Sequence, residues 1–118
     1  MRRFTHSVIN AVRGIRDLIR TQPNFCIAAI IALLVLWAAY ALHLRALERV
    51  AIVMMVVFVL TAEAANSVLE SILDGVSKHF SPRFRMAKDM LAGITLIAAI
   101  GAVIIGVIIF YPYIRDLF

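Results

Sequence analysis

The sequence has little of what a disulfide-bonded or nucleic-acid-binding protein needs. Its 118 residues include one cysteine, so no internal disulfide can form. The chain has 12 basic residues and only 7 acidic ones, and such an excess of positive charge can indicate a nucleic-acid partner. The aromatic residues are not interleaved with the basic ones, however, which argues against that partner. The first 24 residues lack an apolar core of the kind that a signal peptide needs, so no cleavable signal peptide is expected.

Several common kinds of active site are also missing from the sequence. His6, His43 and His79 lie far apart in different segments, whereas a zinc site needs ligands that converge. The sequence contains no glycine-rich phosphate loop, and no serine or cysteine nucleophile stands beside a base. Zinc chemistry and nucleophilic catalysis of the usual kinds are therefore excluded.

Hydrophobic residues make up 64% of the chain, and the mean hydropathy is +0.97. Soluble domains contain about 45–50% apolar residues, so the composition predicts a small integral membrane protein of a single domain, residues 1–118. Three apolar segments predict transmembrane helices at 25–42, 50–73 and 90–114. Residues 43–49 are predicted to form a polar turn and residues 74–89 a charged loop, in which Ser81 caps and Pro82 begins the next helix. The expected fold is an all-α membrane protein.

Residues 1–22 have a different pattern, which predicts an amphipathic helix on the membrane surface. Apolar side chains recur every three or four residues, at Phe4, Val8, Val12, Ile15 and Ile19. Five arginines accompany them, at positions 2, 3, 13, 16 and 20, and would face anionic lipid headgroups. A helix docked on another protein is the alternative. Residues 21–24 interrupt the pattern, and Pro23 suits the first turn of a new helix.

The basic residues also predict the orientation in the membrane. Nine of the 12 lie within residues 1–22 or 74–89, which three spans would place on the same side. The opposite side receives only Arg45, Arg49 and Arg115. By the positive-inside rule, the N-terminus and the 74–89 segment are cytoplasmic and the C-terminus is outside.

The stretch TAEAANSVLESILD, residues 61–74, places polar groups where an apolar span would be expected to continue. On a helix, Glu63, Asn66, Glu70 and Asp74 fall within a stripe roughly 80° wide that rises roughly 16 Å toward the cytoplasmic surface. A buried carboxylate is unfavourable unless it is paired, solvated or bound to a metal. The stripe is therefore a candidate functional site. Alternatively, it holds helices together or pairs with basic residues such as Lys88.

Oxygen ligands of this kind suit Mg²⁺, which proteins bind through one or two carboxylates together with substrate phosphates. A carboxylate can also accept the proton of a hydroxyl during phosphoryl transfer. A proton or ion carrier is another hypothesis, because buried acids can act as relays. A carrier needs a continuous polar path, and segments 25–42 and 90–114 offer no matching polar residues.

The polar stripe and a later AKDMLAG (87–93) resemble the bacterial membrane diacylglycerol kinase and undecaprenol kinase family. The residues that match the family's pattern are Glu63, Asn66, Ser67, Glu70, Asp74, Ala87, Lys88 and Asp89. The resemblance covers nearly the whole chain. It implies a homotrimer in the inner membrane, with sites shared between neighbouring protomers, that uses ATP and Mg²⁺ to phosphorylate a membrane lipid alcohol. Length and register favour diacylglycerol, and undecaprenol is the alternative.

The resemblance also implies roles for individual residues. Glu63 corresponds to the catalytic base, and Glu70 to a Mg²⁺ ligand that bridges to the ATP phosphates. Lys88 and Asp89 correspond to nucleotide contacts, and Arg3 on the surface helix also reaches the nucleotide. Asn66 and Asp74 are expected to support the site.

One position departs from the family's pattern. A second acid that shares the metal in the family is replaced by Gln22, which is expected to touch both metal and nucleotide. An amide oxygen can bind Mg²⁺ but carries no charge, so weaker metal binding is expected. There are three alternatives. Either Gln22 still ligates the metal, or Asp17 compensates for the missing charge, or activity is reduced or lost. In the last case the chain is an impaired homologue that acts as a membrane-assembly partner.

Overall fold

The structure, a computed structural model, describes residues 1–76 and 82–118. This part of the chain forms four helices and no strand: α1 Arg2–Thr21, α2 Pro23–Ala41, α3 Ala46–Val76 and α4 Pro82–Leu117. The last three are long and apolar enough to cross a membrane, which confirms the predicted all-α class with three candidate spans. The predicted cap at Ser81 lies outside the described residues.

A sharp bend separates α1 from α2 at Gln22. Gln22 has an extended backbone with φ −118° and ψ 95°, and Pro23 begins α2 as predicted. Proline suits this position because its missing N–H would have no partner in the first turn of a helix. The Gln22 N–H still bonds to the Leu18 carbonyl at 3.0 Å, and the Cys26 N–H bonds to the Gln22 carbonyl at 3.2 Å. The bend is therefore tied to both helices.

The predicted loops at 43–49 and 74–89 are wrong in extent. Residues 46–49 belong to α3, and the turn is confined to 42–45, where His43 adopts a positive φ of 54°. At the other end α3 continues to Val76, and α4 begins at Pro82 as predicted, so residues 82–89 are helical. Charged residues indicate contact with water, but they do not end a helix, and Pro82 is well suited to begin one.

Helix α3 lies at the centre of the packing and contacts both α2 and α4. The buried core consists of Ala32 and Ala39 from α2, Leu44 from the turn, and Ile52 and Val56 from α3. Phe110 of α4 packs against this core. Ile52 is completely buried. The core occupies the half of the bundle remote from the polar stripe, so it holds α3 by its apolar half.

A polar contact fastens α4 to the start of α3. The Tyr113 hydroxyl donates a hydrogen bond of 2.6 Å to Glu48 Oε1. The same oxygen accepts the backbone N–H of Arg45 at 3.4 Å, as the third residue of a helix does when it caps the helix's beginning. The role of Glu48 was not predicted from sequence, although a glutamate three residues after a helix N-cap is a known capping signal.

Most apolar side chains of this chain are exposed. Its accessible surface is 9446 Å², whereas a compact soluble protein of this mass exposes about 6,400 Å². Helix α1 has no buried residue, and Phe4 remains 76% exposed. Surface of this kind needs an apolar surrounding, from lipid or from other protein chains.

Candidate functional site

The four polar residues predicted as a stripe all lie on α3, within one uninterrupted helix. Their face is therefore preserved, with Glu63, Asn66, Glu70 and Asp74 rising along a single side of the helix. Burial decreases toward the end of α3. Asn66 is buried, Glu63 and Glu70 are half-buried, and Asp74 is exposed. The arrangement gives a graded passage from the apolar interior to water.

Asn66 is the most buried of the four, with 7% of its surface exposed. Its side-chain oxygen Oδ1 has no hydrogen-bond partner among the described residues. A buried acceptor without a donor costs about 1–3 kcal/mol. Ser67 beside it is only 3% exposed and was not given a role from sequence. The middle of the stripe thus offers a buried carbonyl oxygen to an incoming donor.

Lys88 of α4 forms an ion pair with Asp74 of α3. The charge of Glu70 also acts on this lysine. The Lys88 and Asp74 side chains are 42% and 63% exposed, so water screens their attraction and the pair contributes little to stability. Pairing with a basic residue, the structural alternative for the stripe, is thus observed for Asp74. The ion pair also brings Lys88 of α4 to the end of the stripe on α3, as expected if residues of both helices belong to one site.

Gln22 reaches the same region from the bend between α1 and α2. Its amide nitrogen Nε2 donates a 3.4 Å hydrogen bond to Ser71 Oγ, one residue after Glu70. A cavity of about 340 Å³ lies here between α1 and α3, and its polar lining includes Asp17 and Thr21. Asp17 is exposed, with Arg16 Nε 4.0 Å away. The fold therefore places Gln22 and Asp17 at the axial level of Glu70 but on another flank of α3, because Ser71, Val68 and Ile72 lie about 100–160° around the helix from Glu70.

Ser71, which accepts the hydrogen bond of Gln22, was not predicted from sequence to contact a residue of the candidate site. Its position follows from the helix period, which places it about 80° from Glu63 and outside the stripe. The available signal was its place directly after Glu70. The contact itself depends on the bend at Gln22, which the helix period does not reveal.

The donor set of this region fits a hard divalent cation only in part. Glu70 and Gln22 supply oxygen atoms of the type that Mg²⁺ prefers. Within residues 1–76 and 82–118, no three His, Cys, Asp or Glu side chains converge to hold a metal ion. One chain would therefore provide one or two ligands, and phosphates, water or another chain would complete the shell.

Two predicted residues make no described contact with the stripe. Arg3 lies exposed near the start of α1, and Asp89 is exposed on α4 beside Lys88. Neither forms a side-chain hydrogen bond or ion pair with a described residue of the stripe. Their proposed contact with a nucleotide stays a prediction.

Comparison with known proteins points to one group. The sequence profile described as prokaryotic diacylglycerol kinase matches residues 9–110. An undecaprenol kinase of Bacillus subtilis (strain 168) is 31% identical over 112 residues, which cover 95% of this chain and 91% of the relative. A diacylglycerol kinase of Synechocystis sp. (strain ATCC 27184 / PCC 6803 / Kazusa) is 35% identical over 100 residues. That match covers 84% of this chain but only 57% of the Synechocystis protein.

Proposed function

This chain belongs to the prokaryotic diacylglycerol kinase family, and we propose that it transfers the γ-phosphate of ATP to the hydroxyl of diacylglycerol, giving phosphatidic acid. Membership makes it an ATP-dependent lipid kinase with three candidate spans of the bacterial inner membrane. The observation that carries the proposal is the polar stripe of α3, whose Asp74 forms an ion pair with Lys88 of α4. Carboxylates and a lysine that meet at one end of a membrane-spanning helix suit phosphoryl transfer to a lipid.

The site faces the cytoplasm in this proposal. Nine of the 12 basic residues lie in the two segments that flank the polar end of α3, and such residues favour the cytoplasmic side. ATP is available there. The N-terminus is then cytoplasmic and the C-terminus is outside, while the arginines of α1 contact anionic headgroups.

Glu63 is the catalytic base. It is the deepest carboxylate of the stripe, about 10 Å of helix rise further into the membrane than Glu70. A lipid hydroxyl lies at the membrane interface, where a half-buried carboxylate can accept its proton as the phosphoryl group arrives. Asn66, one turn further along the same face, supports the site by offering its buried carbonyl oxygen to a donor of the substrate.

Glu70 and Gln22 would hold Mg²⁺ together with the phosphates of ATP, and since they lie on different flanks of α3 within one chain, the pair would be completed between neighbouring copies. When bound, Mg²⁺ neutralises the charge that the β- and γ-phosphates carry. The amide of Gln22 supplies an oxygen without charge, so this chain binds the ion more weakly than a pair of carboxylates would. Asp17 lines the cavity beside Gln22 and can supply a compensating negative charge.

Lys88 contacts a phosphate of the nucleotide, and Asp74 positions it. The lysine is a compact cation on a flexible stem, and its ion pair with Asp74 restricts where that charge can lie. Asp89 and Arg3 complete the nucleotide contacts. Because phosphoryl transfer depends mainly on positioning and on neutralising charge, these contacts supply most of the catalysis.

The active form is a homotrimer with sites shared between neighbouring copies. Two observations support this: the large exposed apolar surface, and the absence of any three converging His, Cys, Asp or Glu side chains within the described part of one chain. Native mass spectrometry in detergent is expected to give three times the mass of the chain. A monomer that is fully active would contradict a shared site.

Undecaprenol is a second candidate acceptor. The observation in its favour is that the undecaprenol kinase of Bacillus subtilis matches this chain almost from end to end. Both lipids present a primary hydroxyl at the interface, so the same base and the same nucleotide site serve either reaction.

A kinase assay with both lipids tests the proposal. Purified protein in detergent receives labelled ATP, Mg²⁺, and either diacylglycerol or undecaprenol at matched mole fraction. We expect labelled phosphatidic acid, and removal of Mg²⁺ by a chelator should abolish it. Transfer to undecaprenol alone would make undecaprenol the acceptor in place of diacylglycerol. Transfer to neither lipid would favour the hypothesis that the chain is an impaired homologue, which the glutamine at position 22 suggests.

A further inference from the structure

Gln22 contributes an amide, not a carboxylate, to the candidate metal site. The two oxygens of a carboxylate are equivalent, so either can bind a cation, whereas an amide has one oxygen that accepts and one nitrogen that donates. Because hard cations take oxygen ligands, a glutamine binds Mg²⁺ only when its oxygen Oε1 faces the ion. The orientation of the Gln22 amide therefore matters in a way that the orientation of a glutamate would not.

The backbone around Gln22 is fixed from both sides. Its N–H bonds to the Leu18 carbonyl, and its own carbonyl accepts the N–H of Cys26. Pro23 follows, and a residue before proline is restricted to extended conformations such as the one that Gln22 adopts. The direction in which the amide points is therefore decided by the contacts of the side chain itself.

Ser71 provides the contact that distinguishes the two ends of this amide. The Gln22 nitrogen Nε2 donates to Ser71 Oγ at 3.4 Å. Within residues 1–76 and 82–118, no group donates a hydrogen bond to the Gln22 oxygen Oε1. The nitrogen and the oxygen diverge from one carbon atom, so an amide whose nitrogen is turned toward Ser71 has its oxygen turned away from it. The oxygen is then the end of the amide that a cation meets.

We propose that Ser71 is a positioning residue of the metal site, whose hydroxyl holds the nitrogen of the Gln22 amide and thereby presents the oxygen Oε1 to Mg²⁺. The proposal rests on the kinase function proposed above and deepens it, because it assigns a role to a residue outside the polar stripe. Groups that contact a metal ligand without touching the metal commonly orient the ligand in this way. With this hydrogen bond, a glutamine can serve at a position where a carboxylate would need no such partner.

A purely structural role for the same hydrogen bond is the alternative. The bond joins the bend between α1 and α2 to α3, so it could serve only to hold these helices together. The two roles differ in what they require of residue 22. A structural tie would also form with a glutamate, because a serine hydroxyl can donate to a carboxylate. Orientation by Ser71 is needed by the amide alone.

A double-mutant cycle separates the two roles. Mg²⁺ titrations of kinase activity compare the unmodified protein with Ser71→Ala, Gln22→Glu and the double variant. Ser71→Ala alone should raise the Mg²⁺ concentration needed for half-maximal activity about tenfold, as expected when a metal ligand loses its orienting partner. In the Gln22→Glu background, the same substitution should leave that concentration unchanged.

Two further variants serve as controls for the cycle. Ser71→Thr keeps the hydroxyl and should behave like the unmodified protein. Thr61→Ala removes an exposed hydroxyl from the same helix and should not change the Mg²⁺ requirement. Alanine favours helix more than serine does, so Ser71→Ala should not weaken α3.

Each other result of the cycle contradicts the positioning role. Equal shifts on Ser71→Ala in both backgrounds would show that the hydrogen bond is a structural tie. Unchanged titrations on Ser71→Ala, together with a shift on Gln22→Glu, would overturn the role of Ser71 and leave residue 22 in the metal site.

A second test reads metal binding without turnover. Mn²⁺ replaces Mg²⁺, and electron paramagnetic resonance measures the free ion in the presence of the protein and a non-hydrolysable ATP analogue, with the analogue alone as the blank. Ser71→Ala should weaken Mn²⁺ binding in the unmodified background and not in the Gln22→Glu background. If no lipid is phosphorylated but this pattern appears, the kinase function fails and the positioning role stands. Equal Mn²⁺ binding by Ser71→Ala and the unmodified protein would overturn the positioning role, whatever the kinase assay gives.

Discussion

Glu63 is the residue on which the proposed chemistry depends most. Glu63→Gln keeps the size and hydrogen bonding of the side chain but removes its ability to accept a proton. We expect kcat to fall about 10²- to 10⁴-fold, the usual contribution of a general base, with a small change in KM for ATP. Steady-state assays with labelled ATP measure this. Asp116→Asn removes an exposed carboxylate at the end of the chain and serves as the control. Full turnover in Glu63→Gln would show that another group takes the proton.

In the proposed site, Gln22 would set how tightly Mg²⁺ binds. Gln22→Glu adds a negative charge at the proposed metal position and should lower the Mg²⁺ concentration needed for half-maximal activity about tenfold, because hard cations prefer carboxylates. Mg²⁺ titrations of activity measure the shift. Asn24→Asp adds the same charge to a neighbouring exposed position and controls for a general effect of charge. Identical titration curves for Gln22→Glu and the unmodified protein would remove residue 22 from the metal site.

At this scale the sequence predicts the stripe but misses its surroundings. The common face of Glu63, Glu70 and Asp74 follows from the helix period alone, so it could be predicted without coordinates. The hydrogen bond between Gln22 and Ser71 could not, because it depends on how the bend at Gln22 directs one helix onto another. The roles of these residues in catalysis come from the resemblance and still await the assays.

At the level of helices, the hydrogen bond between Tyr113 of α4 and Glu48 of α3 joins the two helices at the end of the bundle far from the candidate site. Tyr113→Phe removes the hydroxyl that donates to Glu48 and should lower the melting temperature, because the Glu48 carboxylate loses a hydrogen bond that joins α3 to α4. Thermal unfolding in detergent measures the loss. Tyr111→Phe is the matched control, since Tyr111 is exposed on the same helix. Equal melting temperatures for the two variants would mean that the Glu48 contact adds nothing.

The extent of the helices was predicted less well than their number. Apolar runs identify a membrane span because burial in hydrocarbon requires them, and all three runs lie on the three long helices apart from Leu42, the C-cap of α2. The helices nevertheless extend past those runs into charged sequence at residues 46–49, 74–76 and 82–89. Backbone hydrogen bonding does not depend on hydrophobicity, so a charged segment can remain helical once it leaves the membrane.

For the whole molecule, the orientation in the membrane is the prediction that everything else requires. Cys26→Ala gives a cysteine-free background, to which Gly14→Cys on α1 or Asp116→Cys after the last span is added. In intact cells an impermeant maleimide should label position 116 and not position 14, because the basic segments remain in the cytoplasm. Labelling of intact cells and of inverted vesicles measures this. The reverse pattern would place the polar end of α3 away from ATP and contradict the kinase site.

The way in which the helices assemble could be predicted only in part. Composition and three apolar runs were enough for a small helical membrane protein, because they depend on the residue types alone. The packing of α2, α3 and α4 around a cavity of about 320 Å³ depends on which faces meet, and the apolar faces of these helices are too uniform to reveal that from sequence. Ala102 and Gly106 are among the residues that line this cavity.

The length of α3 has a consequence for the membrane in which the protein works. Its 31 residues rise about 46 Å, well beyond a hydrocarbon core of about 30 Å, and one rigid rod carries Glu48 at one end and Asp74 at the other. A thinner bilayer tilts such a rod, and a thicker one straightens it. In the proposed mechanism the depth of Glu63 relative to the lipid hydroxyl would therefore follow bilayer thickness, and we expect the acyl composition of the host membrane to change the rate of transfer.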